Sequence, residues 1–555
     1  MNATAASAAA PIDYQNLRYD YRHHPDQDAA TPARHPVVVV GAGPVGLALA
    51  IDLAQRQVPV VLLDNDNKLS TGSRAICFAK RSLEIFDRLG CGERMAAKGV
   101  SWKLGRVFLQ DAQIYEFDLL PEEGHQRPAF VNLQQYYVEG YLAERAAELP
   151  LLDIRWSHTV VGAEQHEDHA LLTVETPDGS YRLQADWLAA CDGSRSTVRQ
   201  LIGQESKGRI FKDRFLIADV KMKVDFPAER WFWFDPHFHR HQSVLLHMQP
   251  DNVWRIDFQL GWEADPEAEK KPENIIPRVK ALLAASPFKD AEFELEWASV
   301  YTFACLRMEA FRHGRVLFAG DSAHGVSPFG ARGANSGVQD ADNLAWKLAA
   351  VLRGEASQAL LDSYAREREY AADENIRNST RATDFITPKS ELSRLFRDAV
   401  LQLASRHPFA RTLVNSGRLS VPATLHGSML NTPDSEDFEG RMVPGAVAAD
   451  APFAASGRQR NWLLRSLGAD GRFAALVFGD GAAAEASLRA LAEAEAPVSV
   501  VRIPLDDAHA LAAQRYDARP GTTYLLRPDQ HVCARWRSPT AAAIRTAHAR
   551  ALGKT

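Results

Sequence analysis

Residues 36–64 read Pro-Val-Val-Val-Val-Gly-Ala-Gly-Pro-Val-Gly-Leu-Ala-Leu-Ala-Ile-Asp-Leu-Ala-Gln-Arg-Gln-Val-Pro-Val-Val-Leu-Leu-Asp. The four valines Val37 to Val40 suit a strand buried on both faces. Gly41, Gly43 and Gly46 complete a G-x-G-x-x-G turn around Pro44 and Val45, and Leu47 to Gln55 carries helical apolar spacing. A second β-rich run, Val58 to Leu63, ends at Asp64, with Asn65 beside it. Strand, glycine turn, helix, strand and acid follow in the order a dinucleotide site needs. Glycines let backbone approach a pyrophosphate, the helix N-terminus offers amides and partial positive charge, and the acid holds a ribose hydroxyl. The spacing predicts a nucleotide site without separating FAD from NAD.

The chain has 555 residues, enough for about three or four domain-sized units. Its 46% hydrophobic and 24% charged content is that of an ordinary globular protein. The net charge of −6, from 64 basic and 70 acidic residues, argues against nucleic acid or an anionic membrane as the main partner. Cysteines stand at 77, 91, 191, 305 and 533 with no C-x-x-C pair and no zinc spacing, which fits a reducing cytoplasm. Val37 to Ile51 is too short and too interrupted to span a bilayer. Residues 1–30 lack the charge and apolar run of a signal peptide. Ala-rich 1–10 reads as a disordered tail, and Tyr14, Tyr19 and Tyr21 as an arm packing on the body.

Farther on, Gln134 to Glu148 reads as a helix, and Asp186 to Cys191 as a strand running into Asp192-Gly193. Phe215 to Val224, Trp231 to Phe234, Ser243 to Met248 and Val253 to Leu260 read as an antiparallel sheet, the last two joined by a Pro250-Asp251-Asn252 turn. Long helices are expected over Ser336 to Leu352 and about Ala356 to Arg377. The composition shifts at 431, and the tail then alternates strand, helix, strand, strand, helix. The expected division is an extension at 1–33, a main body at 34–430 with its substrate part mainly at 205–300, and a C-terminal domain at 431–555.

Two more motifs narrow the cofactor. Asp192-Gly193 lies at a strand end with Arg199 seven residues on; Gly320-Asp321-Ser322-Ala323-His324 precedes Pro328-Phe329-Gly330-Ala331-Arg332-Gly333-Ala334-Asn335 and a helix. The three motifs in this order resemble the class A FAD-dependent aromatic hydroxylases, which include the p-hydroxybenzoate, phenol and 3-(3-hydroxyphenyl)propionate hydroxylases. The resemblance covers most of 36–380. It implies an α/β fold: a Rossmann-like FAD-binding domain with an inserted β-sheet substrate domain, as in p-hydroxybenzoate hydroxylase. The tail, through Tyr524-Leu525-Leu526-Arg527-Pro528-Asp529-Gln530-His531-Val532, resembles the thioredoxin-like domain of the phenol hydroxylase branch, here without C-x-x-C.

The resemblance also implies roles. Asp321 takes a ribityl hydroxyl, Arg74 after Ser73 lies against FAD, Gln135 approaches the ribityl chain, and Asp192 approaches the pyrophosphate. The Gly193 to Arg199 loop holds NADH or NADPH. The Gly333-Ala334-Asn335 backbone meets the flavin pyrimidine edge, where the helix dipole opposes negative charge on reduced flavin. Pro328 places its carbonyl over the reacting position of the substrate. Trp346 and Lys347 read as packing and surface residues, and Arg332 either faces the substrate entrance or points to solvent.

The implied activity is an FAD-dependent, NAD(P)H-consuming monooxygenase: O2 adds at flavin C4a and the hydroperoxide hydroxylates a phenolic or related ring. A small aromatic substrate, a cytoplasmic location and a homodimer complete the expectation. A base should contact the substrate hydroxyl; His247 is the first choice, with a strand histidine satisfied by its neighbours as the alternative, and Tyr301 is the second. His237, His239, His241 and His247 lack the accompanying ligands of a metal site, so no metal is expected. Trp231-Phe232-Trp233-Phe234-Asp235-Pro236 nearly spells the halogenase W-x-W-x-I-P, which leaves a halogenase as one alternative and a flavin oxidase or dehydrogenase as another.

Overall fold

A computed structural model describes residues 12–70, 72, 74–414, 419–453, 461–467 and 471–554. The Ala-rich start and Ser73 lie outside the described residues. The four-valine run forms the strand Ala33–Val40 at the centre of an eight-stranded sheet, with parallel neighbours Gly179–Ala190 on one side and Val60–Asp64 on the other. Val316–Phe318 and Leu152–Trp156 extend the parallel set outward, and Val37 to Val39 are fully buried between the sheet's faces. The register aligns Val40 with Ala190 and Leu63, and Ala190 with Phe318. Gly41, Asp64, Asp192 and Gly320 therefore gather at the carboxyl ends of the parallel strands, where open α/β sheets form their ligand crevice.

A second eight-stranded sheet runs His324–Gly325, Glu294–Met308, Ser206–Lys221, Val253–Leu260, Ser243–Met248, Arg230–Phe234, Leu104–Leu109, Ala112–Asp118. It contains all the segments read as an antiparallel sheet, but also two strands from the 101–130 stretch, and Leu104–Leu109 pairs with Arg230–Phe234 in parallel. Side chains alternate across a strand, so the register sorts the two faces. Trp233, Val244, Leu246, Trp254, Ile256, Phe258, Leu216 and Ala218 form one face, sealed by the helix Pro272–Ala284 through Ile275, Val279, Leu282 and Leu283. Arg230, His247, Arg255 and Asp219 alternate onto the other face, followed by Phe232, Leu245, Asp257 and Ile217. That face looks toward the nucleotide crevice.

The arm packs as expected from residue 12 onward. Tyr14 is buried against Gly140, and Tyr19 stacks on Trp156 with ring centroids 4.3 Å apart. The helix expected to stop near Arg377 runs on, as Leu360–Ile386. The tail folds into a four-stranded sheet ordered Val498–Ile503, Phe473–Phe478, Thr523–Leu526, Val532–Trp536, the first pair parallel and the others antiparallel, with Ala482–Ala494 crossing between the first two. This is a thioredoxin-like arrangement.

The Arg527–Asp529 turn carries the tail's charges into the main body. Arg527 donates to Glu367 at 2.6 Å and to Asp529 at 2.6 Å, Lys347 donates to Glu367 at 2.7 Å, and Asn343 bridges both carboxylates. Lys347, expected at the surface, is instead fully buried. The helix Gly333–Leu352 presents it on a face that the docked tail covers, where Glu367 and Asp529 compensate its charge. Trp346 packs against Phe473 of the tail, as core.

Candidate active site

Three turns meet at the crevice. At Gly41, φ is +102° and an added Cβ would lie 2.6 Å from the Cys191 carbonyl oxygen; at Gly46 it would lie 1.9 Å from the Gly41 oxygen. Gly43 differs: a Cβ there meets nothing within 4 Å, so its surface is open to an incoming group. It begins the helix Pro44–Gln55 with no side-chain cap, leaving the first-turn amides to bind an anion. Val45 fills the space beside Gly320 and Gly337, which locks the Gly320 turn and the helix Gly333–Leu352 onto the fingerprint. Asp64 accepts from the Ala42 amide at 2.6 Å and the Asp66 amide at 2.8 Å, so it shapes the glycine turn; Asn65 is exposed beside it.

Asp321 is open to solvent yet crowded by protein, the environment of a carboxylate lining a recess. Burial raises its pKa, opposed by His324 and Arg74. Asp340, which sequence reading left without a role, anchors this turn. It accepts from the Gly320 amide at 2.9 Å, His324 at 2.7 Å and Arg368 at 2.6 Å, fully buried. The signal for it was the acid sixteen residues after His324, on the inner face of the next helix. Arg199 donates to the carbonyls of Ser322 and Ser194, each at 2.7 Å, stapling the Asp192 turn to the Gly320 turn. Asp192 accepts from the Val198 amide at 3.0 Å while its Oδ1 is buried without a partner among the described residues.

Arg74 is exposed on the loop before Cys77–Ala79 and is close enough to Asp321 and Tyr301 to oppose, in both, the rise in pKa that burial imposes. Gln135 holds that loop, accepting from the Ala75 amide at 3.1 Å and donating to Ser70 and Glu139. Asn335 uses its side chain to clamp the Cys77–Ala79 strand: it accepts from the Ala79 amide at 2.8 Å and donates to the Cys77 and Ala331 carbonyls. The backbone from Gly333 to Asn335 begins its helix without a side-chain cap, directly across from the fingerprint helix. Pro328 is exposed, and its carbonyl accepts from Ala331 at 3.0 Å, tightening the turn into that helix.

Beside the Pro328 turn is a recess open to solvent and walled by Val107, Phe117, Phe232, Phe234, Phe329 and Ile386, with Arg230 and Arg332 as its cations. Arg332 donates to the Phe329 carbonyl at 3.1 Å and so faces the cavity rather than bulk solvent. None of Pro328, His247 and Tyr301 is in this wall. His247 is buried on the neighbouring strand, where desolvation and the charges of Arg230 and Arg255 drive its pKa well below the usual value. The Tyr301 hydroxyl has no partner among the described residues, and burial raises its pKa. Asp257 is half-buried one rung along the sheet; burial, only partly opposed by Arg255, raises its pKa to about 6. His237 pairs with Asp111 and His239 with the Gln259 carbonyl, so the histidines diverge.

Two uncapped helix N-termini, an open glycine and a recessed carboxylate fit an extended dinucleotide, and the cavity beside them fits a ring. Comparison with known proteins gives the class: flavin-dependent aromatic monooxygenases. Residues 34–379 match the family model described as FAD binding domain, and the chain belongs to that family. It is 31% identical over 523 residues to 6-methylpretetramide 4-monooxygenase of Streptomyces rimosus, covering 90% of each chain. It is 30% identical over 427 residues to 3-(3-hydroxy-phenyl)propionate/3-hydroxycinnamic acid hydroxylase of Burkholderia cenocepacia (strain HI2424), covering 75% of this chain and 76% of the other. Among solved structures, p-nitrophenol 4-monooxygenase PnpA from Pseudomonas putida DLL-E4 aligns with TM-score 0.62 at 27% identity, covering 70% of this chain and 100% of that one. The flavin-dependent monooxygenase PieE, solved with FAD and substrate, shares the fold with TM-score 0.78 at 22% identity, over 95% of this chain and 100% of that one. FAD is the cofactor, with NAD(P)H and O2 as co-substrates of aromatic hydroxylation. No helix among the described residues is long and apolar enough to cross a membrane.

Proposed function

We propose that the chain hydroxylates a phenolic or related aromatic ring bound in the recess beside Pro328. The observation that carries this is the phenylalanine-walled recess adjoining the Gly333 helix start. The match over 90% of both chains to 6-methylpretetramide 4-monooxygenase supports ring hydroxylation. FAD supplies oxygen activation when bound; the chain supplies placement, charge and exclusion of water.

In this reading Gly41, Gly43, Pro44, Val45 and Gly46 cradle the pyrophosphate, with Asp64 and Asn65 toward the ribose. Asp321 accepts from the ribityl chain, and Asp192 stands near the pyrophosphate. Arg74 lies against the cofactor on a loop that Gln135 holds, with Ser73 preceding it. The amides of Gly333, Ala334 and Asn335 face the pyrimidine edge. Pro328 positions the ring through its carbonyl. Tyr301 offers a hydroxyl to the substrate oxygen. Asp257 stands, like Tyr301, on the crevice-facing side of the sheet outside the recess wall; with burial raising its pKa to about 6, it takes the proton of a ring that reaches across that face, in preference to His247, which burial and its neighbouring arginines make a poor base. The cytoplasmic, homodimeric state belongs to the same proposal, and the exposed Leu392, Leu395 and Phe396 supply apolar surface for a second copy.

The test is NAD(P)H oxidation by the purified flavoprotein across phenols, naphthols and larger polyphenols, with product and peroxide both measured. Ring-dependent oxidation coupled to a hydroxylated product supports the proposal. Oxidation yielding peroxide alone with every ring would replace it with an oxidase.

A further inference from the structure

Arg230 opens the strand Arg230–Phe234, is only 8% exposed, and lines the recess. No described residue gives its guanidinium a hydrogen bond or an ion pair. The other buried arginines nearby are engaged: Arg255 pairs with Asp219 at 2.8 Å through two nitrogens, and Arg332 donates to the Phe329 carbonyl. The strand register puts His247 across from Arg230 and Arg255 beyond it, so the rung is rich in cations. Asp257, on the next rung, is close enough to be felt electrostatically but makes no ion pair with Arg230. The Cys77 thiol, its pKa pushed up to about 11 by burial, stays neutral and supplies no counter-charge.

An arginine this far buried is ordinarily paired by protein groups or left at the surface. Here its side chain lines the recess beside the Pro328 turn, among Phe117, Phe232, Phe234 and Phe329, with no protein anion among the described residues on it. We propose that Arg230 binds an anionic oxygen of the substrate, a carboxylate or an ionised phenol or enol, and thereby selects anionic rings over neutral ones. The planar fork matches either group bidentately, and the apolar wall strengthens the pairing by excluding water. The proposal rests on the cavity being the substrate's, as argued above.

The experiment uses the FAD-loaded enzyme and its Arg230→Met and Arg230→Lys variants. Ring-matched probes are titrated while the absorbance change of bound flavin is followed: hydroxybenzoates and hydroxynaphthoates against their methyl esters, and nitrophenolates against their methyl ethers. The wild type should bind at least one class of anion about tenfold or more tightly than its neutral match. Arg230→Met should lose roughly 10- to 100-fold for that anion and little for the neutral probe, and Arg230→Lys should recover part of it. Flavin content and Tm should be retained or rise in Arg230→Met, since the variant removes an unpaired buried charge. A preference confined to the acid–ester pairs assigns a carboxylate; one confined to the nitrophenolates assigns a phenolate. Absence of any anion preference in the wild type, or a preference that survives Arg230→Met, overturns the inference. Neutral rings that are hydroxylated as well as charged ones would do so too while leaving the hydroxylase reading intact. No ring-dependent NAD(P)H oxidation at all would break that reading instead.

Discussion

Two of the buried charge clusters among the described residues are built differently. Where the tail docks, Glu367, Arg527, Lys347 and Asp529 are fully enclosed, and each charge meets an opposite one within hydrogen-bond distance. On the sheet face toward the flavin crevice, Arg230 has no partner, and the Asp257 Oδ1, His247 Nδ1 and Tyr301 hydroxyl are buried without hydrogen bonds among the described residues. The first cluster is complete by itself and holds two parts of the chain together. The second is incomplete in the protein alone, as a site must be if its missing partners are a cofactor and a substrate.

Removing one member from the complete cluster should have the largest effect. Glu367→Ala leaves Arg527 and Lys347 buried without their anion and should cost about 3–5 kcal/mol of stability, read by denaturant unfolding. In the wild type, burial would raise the Glu367 pKa, but Arg527 and Lys347 outweigh it and lower it. Its contribution is therefore present above the ordinary value of 4.5 and is lost as pH falls below it. An unchanged unfolding curve would show that the tail does not rely on this junction.

The incomplete cluster should respond in the opposite direction. Asp257 has a folded pKa of about 6 against 3.8, so the folded state binds its proton more tightly and stability falls as pH rises through that window. Asp257→Asn should accordingly stabilise the protein at pH 8 by about 1–3 kcal/mol, with the gain vanishing toward pH 4. The same variant should slow hydroxylation. A variant less stable at pH 8 would mean that Asp257 has a partner after all.

Asp321→Ala tests the recess. It should weaken FAD retention by roughly 10- to 100-fold, seen as flavin lost on gel filtration, with the apoprotein still folded. A full flavin complement in the variant would move the ribityl contact elsewhere. The smallest effect expected is the Tm of Arg230→Met, unchanged or slightly raised, against the marked loss at Glu367.

The nucleotide sheet was legible because its signals are local: a β-branched run, a glycine turn and a helix within 29 residues. The three motifs could be ordered along the chain, but their meeting depends on strand register, which brings Gly41, Asp192 and Gly320 to one edge. The parallel pairing of Leu104–Leu109 with Arg230–Phe234 joins segments far apart and leaves no local trace. Arg230 escaped notice because a strand-opening arginine normally faces water. Its burial arises only in the folded recess it lines with Phe329, Ile386 and Leu419. Lys347 was misplaced for a related reason, since the surface it occupies exists only before the tail docks. Gln135 and Asn335 matched the family pattern by position, and their side chains brace the loop and strand around the crevice.

The central claim is that the open sheet face and the crevice together hydroxylate a phenolic ring. Turnover with NAD(P)H under isotopically labelled dioxygen tests it most directly, by the mass of the recovered ring. The account predicts one labelled oxygen atom in the product for each productive turnover. Labelled peroxide with an unlabelled ring, across every phenol that stimulates oxidation, would contradict it.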